Sequence, residues 1–290
     1  MNSVWSFRLS AQLALRLPPS WSYALAEKIA ISYGMTKRKE RDAIKENLCH
    51  IMGREISQEQ MRRLAGEVYG HFGKYLVDFF RIPKIDDDYI RKKVSLRGVE
   101  KLDRFLQQKR GCILLTAHLG SWELGGALLA RMGYPIEVIA LPHKNQEVNE
   151  FFLNRRLSKG VRTIPLASAL KGSLSALKQN HFIAILGDRD YTGQGIPARF
   201  FGKEVSFPRG AAYLSLKTGA PVLPLFVIRK ESDHLELLCG EWIDSPVSQD
   251  ASDEEIASLT QHFAKILESY IRLYPTQWLV FRKFWEPIHE

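Results

Sequence analysis

A chain of 290 residues is long enough to bury a substantial core, as one large domain or two smaller ones. Its 45% hydrophobic and 25% charged residues exclude a disordered chain. Three cysteines, Cys49, Cys112 and Cys239, stand without CxxC spacing in apolar surroundings, which speaks against a disulfide scaffold or zinc ribbon and for a reducing, cytoplasmic compartment. The formal net charge of +9 asks for an anionic partner, whether nucleic acid, acidic substrate or anionic lipid.

From the N-terminus, Arg8, Arg16, Glu27 and Lys28 interrupt the first thirty residues, so the roughly 20 consecutive apolar residues of a spanning helix never occur. No basic n-region leads into an unbroken apolar stretch with a small-residue cleavage site. Pro18-Pro19 divides this region into two short amphipathic segments, one with Val4, Trp5, Phe7, Leu9 and Leu13, the other with Trp21, Tyr23, Leu25 and Ile29. Such segments suit a membrane interface or a hairpin packed on a core equally well. Helical spacing continues through 37–52 and then from Gln58 to Phe80, with Met61, Leu64, Val68, Phe72, Tyr75 and Phe79 on one face and Pro83 closing the element. Basic runs such as Lys37-Arg38-Lys39 and Arg91-Lys92-Lys93 read as solvated helix faces or as part of an anionic-partner surface.

Near residue 95 the pattern changes. Cys112–Thr116, Ile136–Ala140, Phe182–Leu186 and Val222–Ile228 are short apolar runs bounded by Gly, Pro or polar residues, as buried strands are. Helices are expected at 121–132, 146–159, 167–179, 207–218 and 253–273, with further strands at 235–238 and 278–281. The fold class is therefore α/β, a central mixed sheet flanked by helices with a helical N-terminal portion. The division expected is a helical, membrane-associating portion over 1–95 and an α/β core over 96–290, together forming one integrated domain.

Two strand ends carry candidate chemistry, and strand ends are where open α/β sheets place ligands. His118 follows Cys112–Thr116 and Ala117, with Ser121 as a helix cap and Glu123 in the first turn. There His118 can be a neutral base, with a carboxylate on Nδ1 and Nε2 taking a proton from a hydroxyl. Glu123 is one candidate for that carboxylate, although the turn must fold to bring it round; otherwise Glu123 favours the helix dipole and His118 bonds backbone. Gly187-Asp188-Arg189-Asp190 follows Phe182–Leu186, and its acids could bind a metal, orient a base or anchor an arginine. Phe200-Phe201-Gly202-Lys203-Glu204 and Phe207-Pro208-Arg209-Gly210 read as a loop entering a helix, whose amides and Arg209 could hold a phosphate. G-x-S-x-G, Walker A, H-E-x-x-H and dinucleotide fingerprints are absent, and His50, His71, His143, His181, His234, His262 and His289 show no metal-site spacing.

Taken together these blocks resemble the bacterial lipid A biosynthesis acyltransferases of the lauroyl/myristoyl group and their relatives, the phosphatidylinositol mannoside acyltransferases. The resemblance rests on Arg16-Leu17-Pro18-Pro19, Lys45-Glu46-Asn47-Leu48, the run from Leu114 to Glu123 with its H-x4-E spacing, Asn154-Arg155-Arg156, Gly187-Asp188-Arg189-Asp190, Thr218-Gly219-Ala220-Pro221 and Tyr274-Pro275-Thr276-Gln277-Trp278. It implies a glycerolipid acyltransferase-like fold and, at the cytoplasmic face of the inner membrane, transfer of a fatty acyl chain from an acyl-carrier-protein or acyl-CoA thioester to a glycolipid hydroxyl. The acceptor implied is a lipid A precursor in lipopolysaccharide biosynthesis. It further implies His118 as base with Glu123 completing a dyad, Arg156 as electrostatic support, Asp190 positioning Arg156 or the acceptor, and no metal or other cofactor. Arg189 departs from the family's usual Gln or His, residues 279–285 depart from its aromatic and His-Arg-Arg character, and the interrupted N-terminus resembles monotopic relatives.

Competing readings remain at this level. One is an acyl-CoA-dependent acyltransferase acting on a phosphatidylinositol mannoside or other glycolipid. A second is a metal-dependent hydrolase built on His118, Glu123, Asp188 and Asp190, which lacks a paired-histidine motif. A third is a basic nucleic-acid-binding protein, which lacks any module signature.

Overall fold

The computed structural model describes residues 4–53, 56–231, 233–248 and 250–286; His289 lies outside them. Four helices open the chain: α1 (Val4–Arg16), α2 (Pro19–Thr36), α3 (Arg38–Met52) and α4 (Gln58–Arg81). Local chemistry sets their ends. Pro19 occupies the first turn of α2, where its missing N–H costs nothing. Gly53, at φ 60°, stops α3. Ser57 and Gln60 form a reciprocal capping box at the start of α4.

There follow α5 (Asp87–Lys93), β1 (Val94–Arg97), α6 (Glu100–Gln108), β2 (Cys112–Thr116), α7 (Trp122–Arg131), β3 (Ile136–Ala140), α8 (Gln146–Leu157), β4 (Arg162–Pro165), α9 (Ala169–Lys178) and β5 (Phe182–Leu186). A hairpin, β6 (Ile196–Phe200) and β7 (Lys203–Phe207), precedes α10 (Gly210–Thr218), β8 (Val222–Arg229), β9 (Leu235–Cys239) and α11 (Asp253–Leu273). The main sheet has seven strands in the order β1-β9-β8-β2-β5-β3-β4. Neighbours pair in parallel throughout except β8 with β9.

The central strands read as continuous apolar runs because both faces are covered. Along β2, Ile113 and Leu115 join a core with Leu214 of α10 and Leu267 of α11. Cys112 and Leu114 join the opposite core with Leu124 and Leu128 of α7 and Phe79 of α4. Burying each such aliphatic side chain contributes roughly 1.5–3 kcal/mol. A third cluster, with Ile44, Leu48, Val68 and Tyr69, fastens α3 to α4 and takes in Leu279 near the C-terminus.

Three expectations need correction. Residues 278–281 form no strand; Trp278 makes only an isolated antiparallel bridge to Leu119, since the segment crosses the strand end instead of running beside it. Residues 200–207 are not a loop entering a helix but the turn and second strand of a hairpin. Phe201 (φ 49°) and Gly202 (φ 78°) both take positive φ, as a type I′ turn requires. Ser121 holds the position before α7 but makes no side-chain cap; its hydroxyl is drawn away to Asp78 on α4.

The N-terminal segments pack on the core along one side and leave apolar residues exposed along the other. α1 buries Val4, Ala11 and Ala14, and its Phe7 ring packs against Phe80, Phe151 and Phe152. Its other side leaves Trp5, Leu9 and Leu13 exposed, and α2 likewise exposes Trp21, Leu25, Ile29 and Tyr33. These positions recur every fourth residue, so each helix carries one apolar outer stripe. Among the described residues no helix is long and apolar enough to cross a membrane.

Candidate active site

The parallel pairing of β3 with β5 ends at Val138 and Ala184. By contrast β2 stays paired with β5 as far as Thr116 and Leu186, and β3 with β4 as far as Ala140 and Pro165. The two strands therefore part at their C-terminal ends. There a cavity of about 900 Å³ opens, lined by Val138–Ala140 on one side, Ala184–Leu186 on the other, and by His118, Trp122, Glu123 and Arg156. A volume of this size falls at the upper end of the range of ligand pockets, roughly 300–1,000 Å³.

His118 reaches the cavity through a tight turn after β2. Gly120, at φ 65°, lies so close to the Val227 carbonyl that a Cβ would stand 2.0 Å from that oxygen, so only glycine fits. Backbone bonds pin the turn: Gly120 N–H to the Gln277 carbonyl at 2.9 Å, Ser121 N–H to Val227 at 2.8 Å, and Leu279 N–H to the His118 carbonyl at 2.8 Å. Tyr75 of α4 stacks on Trp122 at 4.1 Å, and the Trp122 ring in turn meets the His118 imidazole edge-on at 5.1 Å.

Asp188 is fully buried. One of its oxygens lies 2.8 Å from His118 Nδ1, and the other accepts the His118 backbone N–H at 3.1 Å and the Trp278 indole N–H at 2.9 Å. Burial alone would raise this carboxyl, but the His118 pairing, the Arg189 charge and the indole N–H hold it well below the usual carboxylate range. Asp188 is therefore ionised and can only accept, which fixes the ring proton on Nδ1. Burial pushes the imidazole below its ordinary value, with Asp188 opposing that shift. The ring is thus neutral near pH 7. Nε2, which has no partner among the described residues, is a proton acceptor, and the imidazolium it would form is stabilised by Asp188.

Glu123 does not supply that carboxylate. Five residues on, at the start of α7, it points to α8, where Arg156 Nε and Nη2 donate to its two oxygens at 2.8 and 2.5 Å. Both side chains are 11% exposed, so this is a buried, bidentate pair. Burial would lower the guanidinium, but Glu123 prevails and raises it, so Arg156 stays a permanent cation lining the cavity. In place of a direct His118–Glu123 contact there are two separate pairs, His118 with Asp188 and Glu123, the second residue of α7, with Arg156.

Asp190 does not hold Arg156. Its oxygens accept from Thr192 N–H and Oγ1, Gly195 N–H and Ser206 Oγ, at 2.7–3.1 Å, which ties loop 190–195 to the β6–β7 hairpin. Despite partial burial, these donors lower its carboxyl. Arg189 anchors to the Leu279 carbonyl at 2.9 Å and the Tyr191 hydroxyl at 3.3 Å and contributes a further charge to the cavity wall. Arg209 stands just before α10, also on the wall, and pairs with exposed Asp253 at 2.8 Å. Of the four residues of the metal-hydrolase reading, His118 and Asp188 pair with each other while Glu123 and Asp190 face other partners, and no group of three or more His, Cys, Asp or Glu able to hold a metal ion exists among the described residues.

Sequence reasoning missed Asp78 and Arg229, which pair beneath the turn. A signal was present: Asp78 is a lone charge in the apolar stretch Val77–Phe80, and Arg229 closes the apolar run of β8. Polar residues in such positions are retained only with partners.

An imidazole backed by a buried carboxylate, facing a mostly apolar cavity beside a fixed cation, is an arrangement able to take a proton from a hydroxyl. A family model described as bacterial lipid A biosynthesis acyltransferase matches residues 3–286, and the chain belongs to that family. It is similar to a phosphatidylinositol mannoside acyltransferase of Mycolicibacterium smegmatis, 23% identical over 252 residues that cover 84% of this chain and 79% of the relative. It is also similar to the lipid A biosynthesis palmitoleoyltransferase of Escherichia coli, 27% identical over 251 residues, covering 85% and 79%. A phosphatidylinositol mannoside acyltransferase of Mycobacterium tuberculosis is 24% identical over 221 residues, covering 74% and 67%.

Proposed function

We propose that this enzyme moves a fatty acyl chain from an acyl-carrier-protein or acyl-CoA thioester to a hydroxyl of a membrane glycolipid, most closely a lipid A precursor late in lipopolysaccharide biosynthesis. The observation that carries this reading is the pairing of His118 Nδ1 with buried Asp188, which leaves Nε2 for a substrate proton. His118 Nε2 takes the proton of the acceptor hydroxyl as its oxygen attacks the thioester carbonyl. A tetrahedral oxyanion forms, the C–S bond breaks, and the departing thiolate recovers the proton from the imidazolium. Asp188 orients the ring and stabilises its charged form. Arg156, held rigid by Glu123, supplies positive charge where the oxyanion develops. A thioester is activated enough that these steps require neither a metal nor an acyl-enzyme intermediate.

The second reading, acylation of a phosphatidylinositol mannoside or similar glycolipid from acyl-CoA, is favoured by the Mycolicibacterium smegmatis relative, which covers 84% of the chain against 85% for the Escherichia coli one. In either case the enzyme works as a peripheral protein on the cytoplasmic face. The outer stripes of α1 and α2 enter the lipid, and nearby Arg8, Arg16 and Lys28 meet anionic headgroups at roughly 1 kcal/mol each. The remaining basic surface serves an acidic carrier protein.

Lipid mass spectrometry of a strain lacking the protein tests this directly. Loss of one secondary acyl chain from lipid A is expected; an unchanged lipid A with altered mannosylated lipids would favour the second reading. Competition between acyl-carrier-protein and acyl-CoA donors identifies the thioester, and an unchanged glycolipid profile would end both readings.

A further inference from the structure

Asp78 is almost completely buried, 1% exposed, and accepts from three separate parts of the molecule. Tyr23 of α2 donates its hydroxyl to one oxygen at 2.7 Å. Ser121, in the turn that carries His118, and Arg229, at the end of β8, both donate to the other oxygen. The Arg229 guanidinium also lies 4.6 Å over the Tyr23 ring. A buried charged cluster is an expensive way to fill space, since apolar side chains of like volume serve packing as well or better. What such a cluster adds is direction: it holds its members at fixed distances and angles.

Two routes lead from this cluster to His118. One is the Ser121 hydroxyl itself. The other runs through the main chain of Arg229, which clamps the Gln277 side-chain amide by bonds of 2.9 and 2.8 Å; the Gln277 carbonyl then receives Gly120 N–H at 2.9 Å. On the far side, α2 is in contact with α4 so close that a Cβ at Gly73 would stand 2.5 Å from the Ala26 carbonyl oxygen, and one at Gly34 2.3 Å from the Tyr69 ring. α2 cannot shift without disturbing α4 and Asp78. Its outer face is the stripe of Trp21, Leu25, Ile29 and Tyr33. One helix therefore carries a lipid-facing stripe on one side and a hydrogen-bond donor to the support of the catalytic turn on the other.

We propose that Asp78 is a positioning residue that links the seating of α2 on lipid to the geometry of the turn bearing His118, so that turnover is fastest when the α1–α2 hairpin lies on a membrane. This rests on the reading of His118 as the base and of the α1–α2 stripes as the membrane face. It makes the lipid surface an activator of the enzyme as well as the place where its acceptor resides.

The test uses the full chain, a short-chain acyl-CoA, a soluble alkyl glucoside below its micellar concentration, and vesicles of phosphatidylglycerol and phosphatidylcholine. Thiol release reports turnover, and sedimentation reports vesicle binding. The wild type should accelerate about tenfold in kcat when vesicles are added, with KM for the soluble donor unchanged, a smaller effect than the roughly 100-fold cost of a full 1 Å misplacement. Tyr23→Phe should sediment with vesicles as the wild type does yet lose the acceleration, and Ser121→Ala should lower kcat at unchanged KM while Ser121→Thr restores it. Both changes are small enough to keep the fold, which Asp78→Asn need not be. Equal acceleration of wild type and Tyr23→Phe, or none in the wild type, would overturn the coupling. If His118→Ala releases thiol as fast as the wild type, the reading of His118 as base fails, and the coupling with it.

Discussion

Asp188 and Glu123 both act electrostatically on His118, yet the two sides of the cavity use their carboxylates in opposite ways. On the sheet side, Asp188 is paired with a neutral ring, so its charge remains available to favour a proton on His118. On the helix side, Glu123 is bound at both oxygens by Arg156, so its charge is largely spent on a cation that must keep a fixed place. The lesson is that the spacing of an acid from a histidine says little about which acid serves it. Parallel strands β2 and β5 end side by side, and that adjacency places Asp188 on His118 across 70 residues of chain.

The comparison can be broken most severely at the residue between the two sides. His118→Ala should reduce acyl transfer by about 10²–10⁴-fold, the usual worth of a general base, with the circular dichroism spectrum retained. Full activity would remove the base from its role.

Glu123→Gln comes next, and its main effect is on stability. It leaves Arg156 as an uncompensated buried charge, so unfolding by urea should show a loss of about 3–5 kcal/mol. A loss below about 1 kcal/mol would place the pair among solvated surface contacts.

Asp188→Asn should lower kcat by about 100-fold and separates the two carboxylates by pH. The Asp188 charge raises the proton affinity of His118, so its removal lets burial depress the imidazole further. With His118 as the proposed base the neutral ring is the active form, so the acid limb of the kcat/KM profile should move to lower pH as the plateau falls. Glu123→Gln should move that limb less, because Arg156 already offsets its charge. The same depressed carboxyl makes Asp188 stabilising above its unfolded pKa of about 3.9, a contribution lost as pH falls through the folded value. The acid-unfolding curve of Asp188→Asn should therefore be flatter in that range. The smallest effect belongs to Arg209→Ala. Its pair with exposed Asp253 is worth about 0–1 kcal/mol, and any kinetic change should lie in KM for a phosphorylated substrate.

Much of the architecture was legible in the residues. The strands Cys112–Thr116, Ile136–Ala140 and Phe182–Leu186 and the helix 253–273 coincide with the observed elements, because runs buried on both faces and a long amphipathic stripe each leave a periodic signature. The hairpin β6–β7 was obscured by Pro197 and Pro208, although Ile196, Ala198 and Phe200 alternate inward as a half-buried strand should. At 278–281 apolar residues resembled a strand. They are buried instead by crossing the end of β2, and no local pattern encodes that.

The sequence by itself determined the α/β class, the placing of His118 and of the 187–190 acids at strand ends, and an excess of positive charge near an interrupted apolar N-terminus. Hydrophobic period and glycine placement are properties of neighbouring residues, so they survive in one dimension. Only the tertiary structure decided that Asp188 serves the imidazole, that Glu123 serves Arg156, and that Asp78 gathers Tyr23, Ser121 and Arg229 beneath the turn. A buried charge is satisfied by whichever partner the packing brings within hydrogen-bond reach, and strand order, rather than distance along the chain, sets that reach.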